Sequence, residues 1–232
     1  MLIGMSRFNV VDYDKVGRKN LERTLARRSI HKKILKRVSS DGFADSLRAA
    51  MEECCKGSVI LLESPAESYF KVNMESVKSL LDSGYKGVYM SFQRPFSNLV
   101  SMFKEYDIDV DKLLVVDGAT FLCGGVLEKD PRCVVVSENM SFGDLIEVVY
   151  NSLPRLKGEK RFVFVDSLST MSLYESMSEV SRFCNDLISV AKNRQCEEVT
   201  FLFNVAEDLA DKRYVEDIAG YADHYLHLGL CT

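Results

Sequence analysis

Several features that would assign this chain to a class at once are missing from it. No apolar run approaches the roughly 20 residues that a membrane-spanning helix needs, so no membrane span is expected. The opening stretch MLIGMSRFNVVDYD lacks the basic-then-apolar layout of a signal peptide, and a cytoplasmic location is the expectation. There is no Cys-x-x-Cys pair, and the seven cysteines are an odd number. Both facts argue against a disulfide framework or a zinc site, so the cysteines read as small buried hydrophobes in a reducing compartment. Histidines are only three, His31, His224 and His227. The last two stand three apart in an apparent strand, which points them to opposite faces and away from a shared metal ion. Residues 43–232 contain no internal repeat and no low-complexity linker.

What is present suits a globular protein. With 232 residues, 47% of them hydrophobic, the chain is long enough for one large domain with a sizeable core. Its charge is uneven. Residues 1–40 hold eleven Lys and Arg against three acidic residues, a net +8, and the remainder nets −12. Residues 1–42 read as a basic N-terminal extension, mostly helical, with Asp14 as N-cap and a narrow stripe of Leu21, Leu25, Ile30, Ile34 and Val38 over residues 14–38. A basic segment of this kind suits an acidic protein surface or a nucleic acid. The absence of interleaved aromatics favours the protein surface over single-stranded nucleic acid.

From residue 43 onward, short apolar runs alternate with helical patterns. Strands are expected at Ser58–Leu62, Gly87–Phe92, Leu113–Asp117, Cys133–Ser137, Arg161–Asp166, Glu198–Phe203 and His224–Leu228. Helices are expected at Phe43–Cys55, Val72–Leu81, Phe96–Tyr106, Ser141–Leu153, within Tyr174–Asn193 and at Leu209–Ala219. An irregular excursion is expected at Gly124–Gly125. Fully apolar strands separated by helices mean a mostly parallel sheet covered on both faces, with ligands at the carboxyl ends of its strands.

Two stretches carry the chemistry. In GSVILLESPAESYFKV, Gly57–Val72, a buried strand meets a polar turn and then a helix, the layout of a phosphate-binding loop. Such a loop needs glycines so that successive N–H groups converge on phosphate, a lysine for the terminal phosphates and a hydroxyl for Mg²⁺. In the best register those positions hold Ser64, Tyr69, Phe70 and Lys71, and every one departs from the pattern. One residue later, Lys71 takes the lysine position, but Pro65 and Phe70 then replace the glycines and Val72 the hydroxyl. Glu63 and Glu67 add charge that repels an anion. Tyr69 and Phe70 are expected to pack over the vacated site and close it. The second stretch, RFVFVDSLSTM at Arg161–Met171, runs a buried strand into Asp166, as a Mg²⁺-directed aspartate is presented.

Taken with VYMSFQRPFSNLVSMFKEYDIDVDKLLVVD at Val88–Asp117 and YADHYLHL at Tyr221–Leu228, these stretches resemble the RecA-like ATPases, in particular the KaiC-like branch, over residues 58–228. The resemblance implies a three-layer RecA-like P-loop NTPase fold, α/β with a mostly parallel central sheet, over residues 43–232. The family's acidic pair, which includes the carboxylate that activates water, falls here at Gln93 and Arg94. Gln93 cannot take a proton as a carboxylate does. Only Asp166 survives of the active constellation. The expectation is a non-catalytic, pseudo-ATPase member with a vestigial site of Ser64, Tyr69, Phe70, Lys71, Gln93 and Asp166. No catalytic residue, resident metal or cofactor is expected of it. It would partner with a second copy or with a RecA/KaiC-like paralogue. The alternatives are a Mg-ATP or other phosphate-ligand enzyme with a rebuilt loop, in which Lys71 would point toward Asp166, and nucleic-acid binding through residues 14–38.

Overall fold

The computed structural model describes residues 34–38, 42–53, 57–122, 129–137, 140–193, 199–207 and 212–228. In chain order these form β1 (Ile34–Val38), α1 (Phe43–Glu52), β2 (Val59–Ser64), α2 (Tyr69–Asp82), β3 (Lys86–Ser91), α3 (Phe96–Glu105), β4 (Leu113–Asp117), α4 (Ala119–Leu122) and β5 (Cys133–Val135). They continue with α5 (Phe142–Ser152), β6 (Arg161–Asp166), α6 (Leu168–Met171), α7 (Met177–Asn193), β7 (Val199–Ala206), α8 (Lys212–Ala219) and β8 (His224–Leu228).

The eight strands make one sheet in the order β1-β8-β2-β7-β6-β3-β4-β5, and every pairing is parallel. Parallel strands require crossovers, and the helices that make them cover both faces. Side chains alternate between those faces along each strand. On one face Ile60, Leu62, Tyr89, Val115, Phe164 and Leu202 pack with Phe43 and Leu47 of α1, Val72 and Val77 of α2, and Leu99 and Phe103 of α3. On the other, Val59, Leu61, Met90, Val116, Val163 and Phe203 pack with Leu145 and Val149 of α5, Phe183 and Leu187 of α7, and Ile218 of α8. This is the expected three-layer α/β fold.

Two glycines show how tightly the layers are set. A side chain at Gly87 would overlap the ring of Phe162, its neighbour across the β3–β6 ladder. Gly84, at φ +84°, ends α2: its N–H meets the Leu81 carbonyl and the Tyr85 N–H meets that of Leu80. That pair of bonds satisfies the last turn, and a Cβ would resist the backbone it needs.

The N-terminal expectation needs correction at its end. Ile34–Val38 was expected to finish a helix, but it is β1, hydrogen-bonded along the outer side of β8. The apolar spacing of Ile34 and Val38 fitted a helical stripe. The exposed ladder of β8 offers the backbone of this Ile/Val-containing segment a more extensive set of bonds. The sheet-bearing unit therefore begins at residue 34 rather than 43. The rest of the expected basic helix, the edge strand expected within residues 1–13 and the Gly124–Gly125 excursion lie outside the described residues. No helix among the described residues is long and apolar enough to cross a membrane.

Candidate functional site

The site is set by β2, β6 and the start of α2. β2 and β6 are separated by one strand, β7, and both end at the carboxyl edge of the sheet. After Ser64 the chain makes a tight turn in which the Ser68 N–H and hydroxyl both donate to the Pro65 carbonyl, at 3.1 and 3.2 Å. α2 then opens directly on Tyr69. The turn is closed on its own backbone, and Tyr69 is delivered inward at the first helical position.

Tyr69 is buried, and its hydroxyl donates to Asp166 Oδ1 at 2.9 Å. The Tyr89 hydroxyl, from the middle of β3, donates to Asp166 Oδ2. Tyr89 cannot swing away from that bond. Its ring stacks on Phe164 at 5.3 Å and meets the edge-on ring of Phe103 at 5.5 Å. Both carboxylate oxygens of a fully buried aspartate are thus taken by phenols. Burial raises the Asp166 pKa above the ordinary carboxyl value, while the bonds from Tyr89 and Tyr69 and the charge of Arg94 pull it down. Burial, and then the Asp166 charge, push Tyr69 and Tyr89 well above the ordinary phenol value.

The remaining expected residues divide. Phe70 and Arg94 form an outer layer: the Arg94 guanidinium lies 4.7 Å over the Phe70 ring, and Tyr106 meets that ring edge-on at 5.8 Å. Gln93 donates its amide to Thr170 Oγ1 at 2.8 Å and to Ser167 Oγ at 3.2 Å, pinning the end of β3 to the start of α6. Ser64 is buried with a hydroxyl that has no hydrogen-bond partner. Lys71 stands apart. It pairs with Glu75 at 3.6 Å along the outside of α2, with its side chain 60% exposed, and does not point toward Asp166.

Sequence reasoning missed three members. Tyr89 was hidden in an ordinary apolar strand run. Arg94 was noted only as a lost carboxylate, yet it is the cation whose charge reaches Asp166. Asn73, one turn into α2, is buried against Asn204 of β7; their side chains share one hydrogen bond, leaving Asn73 Nδ2 and Asn204 Oδ1 without partners. A polar residue at an inward helical position, opposite another in an apolar strand, was the readable signal.

A second carboxylate constellation lies on the opposite face. Glu63 accepts from the Tyr225 hydroxyl and meets His227 Nδ1 at 3.1 Å, while His227 Nε2 stands 3.7 Å from Glu207. His224 and His227 do point to opposite faces of β8. Among the described residues, no group of three or more His, Cys, Asp or Glu is placed to hold a metal ion.

Tyr69 closes over Asp166 at the start of α2, Lys71 faces outward to Glu75, and both Asp166 oxygens are engaged by phenols. These residues do not fit a Mg-nucleotide.

No known family model matches the chain, and no curated protein sequence matches it. Solved structures do. An uncharacterized protein of Pyrococcus horikoshii, PH0321, determined in complex with an unknown peptide, matches with a TM-score of 0.60 and 17% identity, over 79% of this chain and 82% of that one. A KaiC-like protein, PH0186, of Pyrococcus horikoshii OT3 matches with a TM-score of 0.48 and 14% identity, over 70% of this chain and 68% of that one. The likeness to PH0321 is one of fold.

Proposed function

We propose that this chain is a RecA/KaiC-like protein that has given up nucleotide hydrolysis and acts in the cytoplasm as a regulatory or assembly partner through protein–protein contacts. One observation carries the reading: Tyr69, at the position of the lost phosphate loop, bonds Asp166 directly. A side chain of the protein replaces the ligand, and Arg94 supplies a positive charge near the buried aspartate. Phosphoryl transfer depends on positioning, charge neutralisation and an activated nucleophile together. Here the first is blocked, the second is internal, and the residue for the third is Gln93.

The rebuilt-loop alternative required Lys71 to turn toward Asp166, and its pairing with Glu75 counts against that. The unknown peptide held by PH0321 supports a protein-binding role by analogy of fold. A second copy or a RecA/KaiC-like paralogue is the partner we favour, because the +8 of residues 1–40 and the −12 of the remainder are complementary. Deleting residues 1–33, which leaves β1 in the sheet, should then change the oligomeric state in light scattering. Nucleic-acid binding through residues 14–38 is a weaker reading, and its mark would be affinity that falls steeply with salt.

The deciding experiment is calorimetric titration with Mg-ATP, using Asp166→Ala as control. No heat and no thermal shift at millimolar ligand is the expected result. Binding that requires Asp166 would overturn the reading.

A further inference from the structure

Arg94 lends its charge to the closed site but makes no hydrogen bond to Asp166, whose oxygens are taken by Tyr69 and Tyr89. Its guanidinium carbon lies 4.7 Å over the Phe70 ring centroid, and its Nε is buried without a hydrogen-bond partner. Among the described residues no carboxylate lies within ion-pair distance of it. The one carboxylate whose charge it is shown to influence, Asp166, already spends both oxygens on Tyr69 and Tyr89. A guanidinium that lies over an aromatic ring and has donors to spare suits a planar, bidentate anion.

Next to Arg94, Gln93 is anchored to Thr170. The chain leaves Thr170 through a turn in which the Leu173 N–H bonds the Thr170 carbonyl and the Tyr174 N–H bonds that of Met171, both at 3.1 Å. That turn carries the large exposed hydrophobics of the described surface, Leu173 at 78% and Tyr174 at 62% exposure. Arg94 follows Gln93 in sequence and the uncovered aliphatic–aromatic pair follows Thr170, so the cation and the pair are joined through the Gln93–Thr170 bond.

We infer that this edge is a peptide-docking site, in which Arg94 receives an Asp or Glu carboxylate of a partner polypeptide and Leu173 and Tyr174 receive an apolar side chain near it in sequence. The inference rests on the protein-partner reading above and names the chemistry of that partner. A polyphosphate is a poorer occupant. A single guanidinium offers one positive charge, Lys71 is turned outward to Glu75, and Glu63 and Glu67 flank the turn with negative charge. A monovalent carboxylate is satisfied by one bidentate guanidinium.

The test uses the full chain and a phage-displayed library of random dodecapeptides, followed by fluorescence anisotropy on fluorescein-labelled copies of the enriched sequences. Enriched peptides should carry Asp or Glu close to Leu, Ile, Phe or Met. Their affinity should fall about tenfold or more with Arg94→Gln, as for removal of a central charged anchor. It should fall similarly when the peptide acid is changed to its amide. Because Arg94→Gln bears on packing over Phe70, the Leu173→Ser/Tyr174→Ser variant, altered only at exposed positions, provides the second readout and should also lose binding. Circular dichroism melts establish that each variant is folded. No enrichment, enrichment without an acidic residue, or affinity indifferent to both variants would overturn the site. Such a failure would leave the non-catalytic reading standing, since that reading depends on the Mg-ATP titration. Displacement of bound peptide by Mg-ATP, but not by sodium acetate, would overturn both.

Discussion

Asp166 and Glu63 stand at the carboxyl ends of two strands of one sheet, and each accepts a tyrosine hydroxyl, yet they are built differently. Asp166 faces the α1–α2–α3 side and is sealed: two phenols occupy its oxygens, and aromatic rings hold one of those phenols in place. Glu63 faces the other side, itself buried but met by the half-buried Tyr225 and His227 of a partly exposed rim. It shares His227 with Glu207, and both of these partners are partly exposed. The sealed position is the one where the family resemblance puts catalysis. On the proposed non-catalytic reading, the site is actively filled with well-packed polar and aromatic groups. Erosion to a disordered or merely empty loop would have left Asp166 unpaired, and an unpaired buried carboxyl is costly.

The contrast breaks most strongly if the filling is removed. Replacing Tyr69 and Phe70 together by Ala deletes the plug and exposes Asp166, and should cost about 3–5 kcal/mol, in the range of buried aromatic truncations. Tyr225→Ala, on the partly exposed rim, should cost about half as much. Urea unfolding of both variants checks this. Equal losses would mean that the Asp166 site is no more integral to the fold than the rim.

A finer cut keeps the rings and removes only the hydroxyls. Tyr89→Phe leaves one oxygen of a fully buried carboxyl without its donor, which should cost about 1–3 kcal/mol. Tyr225→Phe should cost less than about 1 kcal/mol, because water can replace the lost donor at the rim.

The sealed carboxyl also has a pH signature. Burial holds the Asp166 pKa above its ordinary value of 3.8, so the folded protein binds that proton more tightly than the unfolded chain does. The stability from Asp166 is then fully present below that ordinary value, and it is lost as pH rises through the folded value. Asp166→Asn should remove this fall. Urea midpoints measured across the acid-to-neutral range for both proteins test it, and parallel curves would show that Asp166 does not titrate in that window.

The fold was largely legible because its strands are fully apolar and its helices amphipathic, so period and length agreed. Leu113–Asp117, Arg161–Asp166 and His224–Leu228 are found at the expected bounds. Ile34–Val38 misled, because its two apolar positions four apart satisfy a helical stripe, and only the open edge of β8 decides otherwise. At the site, a tyrosine and a phenylalanine in the turn after a buried strand were readable as an inward-packing pair, and the Tyr69 bond to Asp166 is what the structure adds. The role of Tyr89 was not readable, since a tyrosine in an apolar strand gives no sign of what its hydroxyl meets 77 residues away in sequence.

The smallest expected effect is the most informative about Lys71. A lysine in the first turn of a helix sits against the positive end of the helix dipole, and a Lys placed four residues before a Glu is the weaker orientation of such a pair. A bound phosphate would justify that placement. Without one, the Lys71–Glu75 pair, largely exposed at 3.6 Å, is worth no more than about 0.5 kcal/mol. Lys71→Ala should therefore leave the urea midpoint within that margin, or raise it slightly by relieving the dipole. It should also leave the Mg-ATP titration as flat as in the parent protein. A loss well beyond that margin would mean that Lys71 leaves Glu75 for a partner in the site, and would revive the rebuilt loop with lysine as its cation.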